Sequence, residues 1–258
     1  MTPVPLQALI FDVDGTLADT EQDGHRIAFN GAFEAAGLDW HWDVARYGEL
    51  LAVTGGKERI RYYLSQSHPA LLDEAGINER IARLHKAKTA LYLELVAGGA
   101  LPLRPGVGRL IAEARAAGLR LAIATTTTPE NVAILLEHSL APGSSAWFEV
   151  IGAGDVVPAK KPAPDIYQWV LEQLRLPASA CLALEDSENG LRAARGAGLT
   201  TIITVNPYTE DQDFGDAAIV LSDLGTSTTA FHCIAGDAGS ATQVDMQALR
   251  HWHARSTH

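Results

Sequence analysis

Leu6-Gln7-Ala8-Leu9-Ile10-Phe11-Asp12-Val13-Asp14-Gly15-Thr16 opens the structured part of the chain. Residues 6–11 are apolar at nearly every position, the pattern of a short strand covered on both faces. The run stops in two aspartates and a glycine. Side chains two apart on extended chain share a face, so Asp12 and Asp14 point into one small volume. Close carboxylates repel unless a cation or a shared proton holds them. Taken alone, the pair reads equally well as a turn with two solvated acids.

Working outward, similar short apolar runs recur at 119–124, 149–153, 181–184, 201–205 and 218–221. Helical patterns lie between them, over 107–117, 130–138, 164–175 and 187–197. Alternating strand and helix predicts an α/β fold, a Rossmann-like, mostly parallel sheet with helices on both faces. Such sheets hold their sites at the C-terminal ends of the strands. The stretch from 20 to 99 breaks the rhythm. It predicts helices over 25–36, 57–65 and 77–96, a helical segment inserted after the first strand. The expected organisation is a core of 1–18 and 101–224, an inserted helical domain of 19–100 and a tail of 225–258. Ser, Thr, Ala and Gly are frequent in the tail, which also holds His232, His251, His253 and His258. A loosely held terminus is expected there, in preference to a metal-binding one.

The 258 residues carry 20 Lys and Arg against 31 Asp and Glu, a net charge of −11. With 47% hydrophobic residues the chain has the apolar mass to fold, which excludes disorder throughout. The acidic balance argues against nucleic acid or an anionic membrane surface as partner. It also means that an anionic substrate needs locally placed cations. Cys181 and Cys233 are too few for a disulfide framework or a closed zinc site. No apolar run reaches the roughly 18 residues of a membrane span. The start of the chain lacks the basic region of a signal peptide. A cytoplasmic protein is expected.

Glu185 and Asp186 follow the 181–184 run, so they come to the same sheet edge as Asp12 and Asp14. Clustered carboxylate oxygens suit Mg²⁺. Ser187 can cap the following helix, which frees both acids. Thr125, Thr126 and Thr127 end another strand before a helix and offer hydroxyls and N–H groups to a phosphate. Lys160-Lys161 precede Pro162 in a loop before a helix; a lysine there is simply solvated unless it faces the carboxylates, where it would balance phosphoryl charge.

Asp12-Val13-Asp14-Gly15-Thr16, Thr125, Lys161-Pro162-Ala163-Pro164-Asp165 and Glu185-Asp186-Ser187 together resemble the four ordered motifs of the haloacid dehalogenase superfamily phosphatases. The resemblance implies that Asp12 is the nucleophile of an aspartyl-phosphate intermediate and Asp14 the general acid/base. It implies that Thr125 and Lys161 hold phosphoryl oxygens. Asp12, the backbone carbonyl of Asp14 and Asp186 would hold Mg²⁺, with Glu185 ligating directly or through water.

The inserted segment, 19–100, resembles the small α-helical cap of that superfamily, and it is similar to a narrower group, the CbbY-type phosphatases. The similarity lies in Thr54-Gly55-Gly56-Lys57-Glu58-Arg59-Ile60, the His85-Lys86-Ala87-Lys88 helix and the threonine run. It implies hydrolysis of xylulose 1,5-bisphosphate, an inhibitor of Rubisco in the Calvin cycle. Glu21 would contact a sugar hydroxyl. Thr54, Gly55, Gly56, Lys57, Glu58, Arg59, His85 and Lys88 would contact the sugar and its distal phosphate, with Thr125, Thr126, Thr127 and Asn131 around the proximal one. The same motifs also serve a β-phosphoglucomutase-type mutase or a phosphoglycolate phosphatase. The expected partner is a small phosphorylated sugar, and the expected state a monomer.

Overall fold

The computed structural model describes residues 4–99 and 101–256. β1 (Ala8–Phe11) has all four side chains buried because it runs through the middle of a sheet. β2 (Arg120–Ala124) and β4 (Cys181–Glu185) flank it in parallel, with Phe11 opposite Ile123 and Leu184. β3 (Val150–Gly152) lies outside β2; β5 (Thr200–Thr204) and β6 (Ile219–Leu221) continue beyond β4. The order is β3-β2-β1-β4-β5-β6-β7 among the described residues, parallel up to β6.

Period-two alternation divides the core between two faces. Leu9, Phe11, Leu121, Ile123 and Leu184 pack against α5 (Val107–Ala116) and α6 (Pro129–Leu135). Ala8, Ile10, Ala122 and Ala183 pack against α7 (Asp165–Leu174) and α8 (Glu188–Gly196). Helix starts follow side-chain chemistry. Thr128 accepts from the Asn131 N–H with Pro129 in the first turn, and Ser187 accepts from the Gly190 N–H at 3.2 Å.

Between β1 and α5 lie α1 (Arg26–Ala35), α2 (Val44–Leu50), α3 (Gly56–Ser67) and α4 (Ile77–Ala97). They bury an aromatic cluster of their own, including Phe29, Phe33, Trp42, Tyr47 and Tyr63. Neither α2 nor the short helical turn Pro69–Asp73 is predicted from sequence. Segments of this length repeat an apolar stripe too few times to show a period. The two connections to the sheet are held together where Ala18 bridges Leu103 and the Arg104 N–H donates to the Leu17 carbonyl at 2.9 Å.

The tail departs from expectation. β7 (Cys233–Ala235) adds to the sheet antiparallel to β6, and α9 (Met246–Ser256) lays Leu249 and Trp252 into the main core beside Val244. Its apolar residues are few and separated by Ser, Thr and Gly, so no periodic signal announces them. Its histidines do not converge. His253 is buried with Nε2 2.9 Å from the Ser179 carbonyl, His232 and His251 are exposed, and His258 lies outside the described residues. Leu249→Ala is expected to destabilise the protein by about 2–4 kcal/mol in urea unfolding. A loosely held tail would give no change.

Candidate active site

The register of β1, β2 and β4 brings their C-terminal ends level, so residues one or two beyond each strand meet. The Asp12 N–H extends the ladder to the Leu184 carbonyl at 3.0 Å, and the Thr125 N–H to the Gly152 carbonyl at 2.9 Å. Asp12, Thr125, Glu185 and Asp186 are all buried at this edge. Lys161 reaches in from the loop before α7. Its Nζ donates to Asp12 Oδ1 and Glu185 Oε1, both at 2.6 Å, and to the Ala124 carbonyl at 2.9 Å. Tyr167, on the first turns of α7, donates its hydroxyl to Glu185 Oε1 at 2.5 Å. One Glu185 oxygen is thus fully engaged in fixing Lys161.

Burial pushes the Asp12 carboxyl up, and the Glu185 and Asp14 charges add to this. Lys161 opposes them, and the result is about 8. Burial alone would push Lys161 down, but Asp12 and Glu185 outweigh it and hold the ammonium charged. Three carboxylates, Asp12, Glu185 and Asp186, cluster here while one ammonium bonds two of them, so negative charge exceeds positive. Asp186 is likewise raised, by burial first and then by Asp12 and Glu185.

Those three residues each place a carboxylate oxygen within 4.8 Å of the others, the one such group among the described residues. An all-oxygen, buried, over-negative donor set fits Mg²⁺. The carboxylate of Asp14 is not part of it.

Asp14 instead faces the inserted helices. Its Oδ1 accepts from Thr20 Oγ1 at 2.6 Å and lies 3.0 Å from His25 Nε2. Lys88 Nζ lies 2.8 Å from His25 Nδ1, so a chain of Lys88, His25 and Asp14 runs from α4 to the sheet edge. Burial pushes Asp14 up, but His25, Thr20 and Lys88 outweigh it and hold the carboxyl at about 2. Burial lowers Lys88 to about 8. A third group joins Glu21, Tyr47 and Arg59. Arg59 Nη1 donates to the Tyr47 hydroxyl at 2.6 Å and to Glu21 Oε2 at 3.3 Å, and the Tyr47 hydroxyl donates to the same carboxylate.

Two adjoining cavities open on these groups. The first, about 290 Å³, holds Asp12, Thr125, Lys161 and Asp186 at its floor and Thr54 at its rim, where Asn189 Nδ2 reaches Thr54 Oγ1 at 3.4 Å. The second, about 230 Å³, is lined by Gly55, Lys57, Glu58, His85, Thr127 and Asn131, among others. Asp14, Glu21, Arg59 and Thr126 border both. Gly56 packs closely here: a Cβ would lie 2.6 Å from the His85 ring, which would have to shift. Every residue singled out from sequence therefore borders one of the cavities or, for Glu185, fixes a residue that does. Two expected cap cations are not free. Arg59 is paired with Glu21, and Lys88 is buried against His25. Lys57 is the looser one, 3.6 Å from Asp155.

Sequence reasoning misses Thr20, His25, Tyr47 and Tyr167. Thr20 precedes and His25 ends a helical turn of irregular pitch, Glu21–His25, which no periodicity reveals. Tyr47 sits on the unpredicted α2.

A family model described as haloacid dehalogenase-like hydrolase matches residues 6–198. The chain belongs to the haloacid dehalogenase-like hydrolases. Within that family it is a phosphatase. It is similar to the plasmid-encoded protein CbbY of Cupriavidus necator, 49% identical over 96% of this chain and 97% of that one. The crystal structure of CbbY from Rhodobacter sphaeroides in complex with phosphate superposes with a TM-score of 0.79 at 48% identity, covering 84% of this chain and 94% of that chain. A mutant of the same protein, solved in complex with xylulose 1,5-bisphosphate, gives a TM-score of 0.79 at 47% identity with the same coverage. No helix among the described residues of this hydrolase is long and apolar enough to cross a membrane. His25→Ala is expected to raise the Asp14 carboxyl by at least about one pH unit, because a partner that favours the charged form is lost. Carboxyl-carbon NMR titration of Asp14 reads the shift, and an unmoved Asp14 would mean Thr20 and Lys88 suffice.

Proposed function

We propose that the protein is a Mg²⁺-dependent phosphatase that hydrolyses xylulose 1,5-bisphosphate through an aspartyl-phosphate. The observation carrying this reading is the pair of adjoining cavities. One has a nucleophilic carboxylate and a charged lysine at its floor, and the other is lined by further cations. A substrate with a phosphate at each end fills both. The xylulose 1,5-bisphosphate complex of the R. sphaeroides relative supports the choice of sugar.

On this reading an Asp12 carboxylate oxygen attacks phosphorus, the bond from phosphorus to the sugar oxygen breaks, and that oxygen takes a proton. Lys161 and the Thr125 and Thr126 groups offset charge on the phosphoryl oxygens. Asp12, Asp186 and the Asp14 backbone carbonyl would hold Mg²⁺, with Glu185 behind them fixing Lys161. Bound there, Mg²⁺ supplies charge neutralisation to the transferring group.

Asp14 as placed is an ionised carboxylate, the state that accepts a proton when water attacks the aspartyl-phosphate. To donate in the first step it needs its proton affinity raised. An entering phosphate dianion beside it has that effect. Water attack then releases inorganic phosphate and restores Asp12. Glu21, oriented by Tyr47 and Arg59, contacts sugar hydroxyls, while Lys57 and His85 serve the distal phosphate; Asn131, expected beside the proximal phosphate, borders the second cavity and is assigned to the distal one instead. Residues 19–100 act as a cap over a core of 1–18 and 101–224. Two free thiols, Cys181 and Cys233, accord with a reducing compartment such as the cytoplasm; a monomer is our working assignment.

The decisive experiment is a phosphate-release screen over xylulose 1,5-bisphosphate, ribulose 1,5-bisphosphate and hexose monophosphates. Xylulose 1,5-bisphosphate is expected to be hydrolysed fastest, with EDTA abolishing release and Mg²⁺ restoring it. Interconversion of hexose phosphates without net release would overturn the assignment. Asp12→Asn is expected to cost roughly a thousandfold or more in kcat, about 4 kcal/mol of barrier, with an unchanged circular dichroism spectrum. Lys57→Ala is expected to raise KM for the bisphosphate by roughly fivefold, the scale of one exposed ion pair, and to leave monophosphate KM nearly unchanged. Equal effects on both would remove Lys57 from the distal subsite.

A further inference from the structure

Arg104 has no part in the chemistry above, yet it is the most extensively bonded side chain at the sheet edge. It lies in the second connection between the inserted helices and the sheet, and it is buried. Its Nη1 donates to the Gly15 carbonyl and, at 3.0 Å each, to the carbonyl and hydroxyl of Thr204. Its Nη2 donates to the Val205 carbonyl at 2.5 Å and the Ser222 carbonyl at 3.1 Å. Its Nε lies 3.1 Å from Asp19 Oδ1, on the first connection. One rigid, planar fork therefore joins the turn after β1, the ends of β5 and β6, and the root of the inserted segment. A flexible point donor such as lysine has no equivalent geometry.

Two of the acceptors, Gly15 and Val205, lie next to groups that touch Asp186. Gly15 has φ +85°, and a Cβ on it would collide with the Asp186 carboxylate and lie 2.7 Å from Asn206 Nδ2. The turn held by Arg104 is thus packed directly on that carboxylate. Val205 precedes Asn206, whose Nδ2 donates to Asp186 Oδ2 at 2.7 Å. Two of the fork's bonds consequently end one residue or one contact away from a member of the carboxylate cluster.

We infer that Arg104 is a positioning residue for metal binding. By fixing the Gly15 and Val205 carbonyls it holds Asp186 against Asp12, and through Asp19 it anchors that arrangement to the root of the cap. The inference rests on the reading of Asp12, Asp186 and the Asp14 backbone carbonyl as a Mg²⁺ site. Groups that orient metal ligands from behind typically matter about 10- to 100-fold in metal affinity.

The test is a Mn²⁺ titration of the resting full-length protein, followed by the electron paramagnetic resonance signal of free Mn²⁺, with no substrate present. Arg104→Lys is expected to weaken binding about tenfold, Arg104→Met more, and Asn206→Ala by an amount similar to Arg104→Lys. The double variant of Arg104→Lys with Asn206→Ala should lose less than the product of the single losses, because both act on one carboxylate. A residue that only supports the fold would lower the melting temperature and leave Mn²⁺ affinity within about twofold, and that result overturns the inference. Fully multiplicative losses overturn it as well. If neither Arg104 variant folds, Asp19→Ala decides, because it takes away the partner of the guanidinium Nε and leaves the carboxylate cluster itself intact: a loss of Mn²⁺ affinity beyond about twofold upholds the inference, and wild-type affinity refutes it. No Mn²⁺ uptake by the wild-type protein would refute the metal reading itself, and this inference with it.

Discussion

Lys161 held between Asp12 and Glu185 is the contact on which the rest of the site depends. Each N–O distance is 2.6 Å, and all three groups are buried. Removing one partner from such an arrangement leaves an uncompensated charge away from water, a loss of order 3–5 kcal/mol. The constraint explains why the surrounding elements are where they are. β1 and β4 must be neighbours to bring the two carboxylates together, and β2 must supply the Ala124 carbonyl for the third ammonium proton. Tyr167 on α7 completes the shell around Glu185. The arrangement still holds more negative charge than positive, and this imbalance is what makes it receptive to a divalent cation and a phosphoryl group together.

The net charge of −11 is compatible with an anionic substrate because the charges are sorted in space. Excess acid is gathered at the sheet edge. Basic groups face it from the inserted helices, and most are held by internal partners, as Arg59 is by Glu21 and Lys88 by His25. A cation tied to an internal acid keeps its geometry when no ligand is bound. The cost is a weaker net attraction, so the inserted helices contribute orientation as well as charge.

The α/β alternation, the strand-end acids, Lys161 and the inserted helical segment were all legible in the sequence. Each rests on local pattern: apolar runs of strand length, or a polar residue placed immediately after one. What was not legible depends on long-range packing. Thr20 and His25 matter only because an irregular helical turn swings both toward Asp14. Tyr47 matters because a short helix carries it under Glu21. Arg104 is in sequence a single basic residue before Pro105, and nothing in its neighbourhood announces five hydrogen bonds to three distant segments. The tail was misjudged for the related reason that Val244, Leu249 and Trp252 are isolated in sequence and become a cluster only against α5 and the sheet.

The antiparallel β7 has a consequence for solubility. Without it, β6 would end the sheet as an open, fully buried-type apolar strand, Ile219-Val220-Leu221, with unpaired backbone groups along one side. Such an edge is a template for strand addition by another molecule. β7 covers it with a run of only three residues, displaced in register by a bulge at Val220 and Leu221. A short, irregular border offers an incoming strand few consecutive hydrogen bonds. The C-terminal segment therefore guards the sheet against edge-to-edge aggregation at the side farthest from β3, a service to the folded protein that is independent of its chemistry.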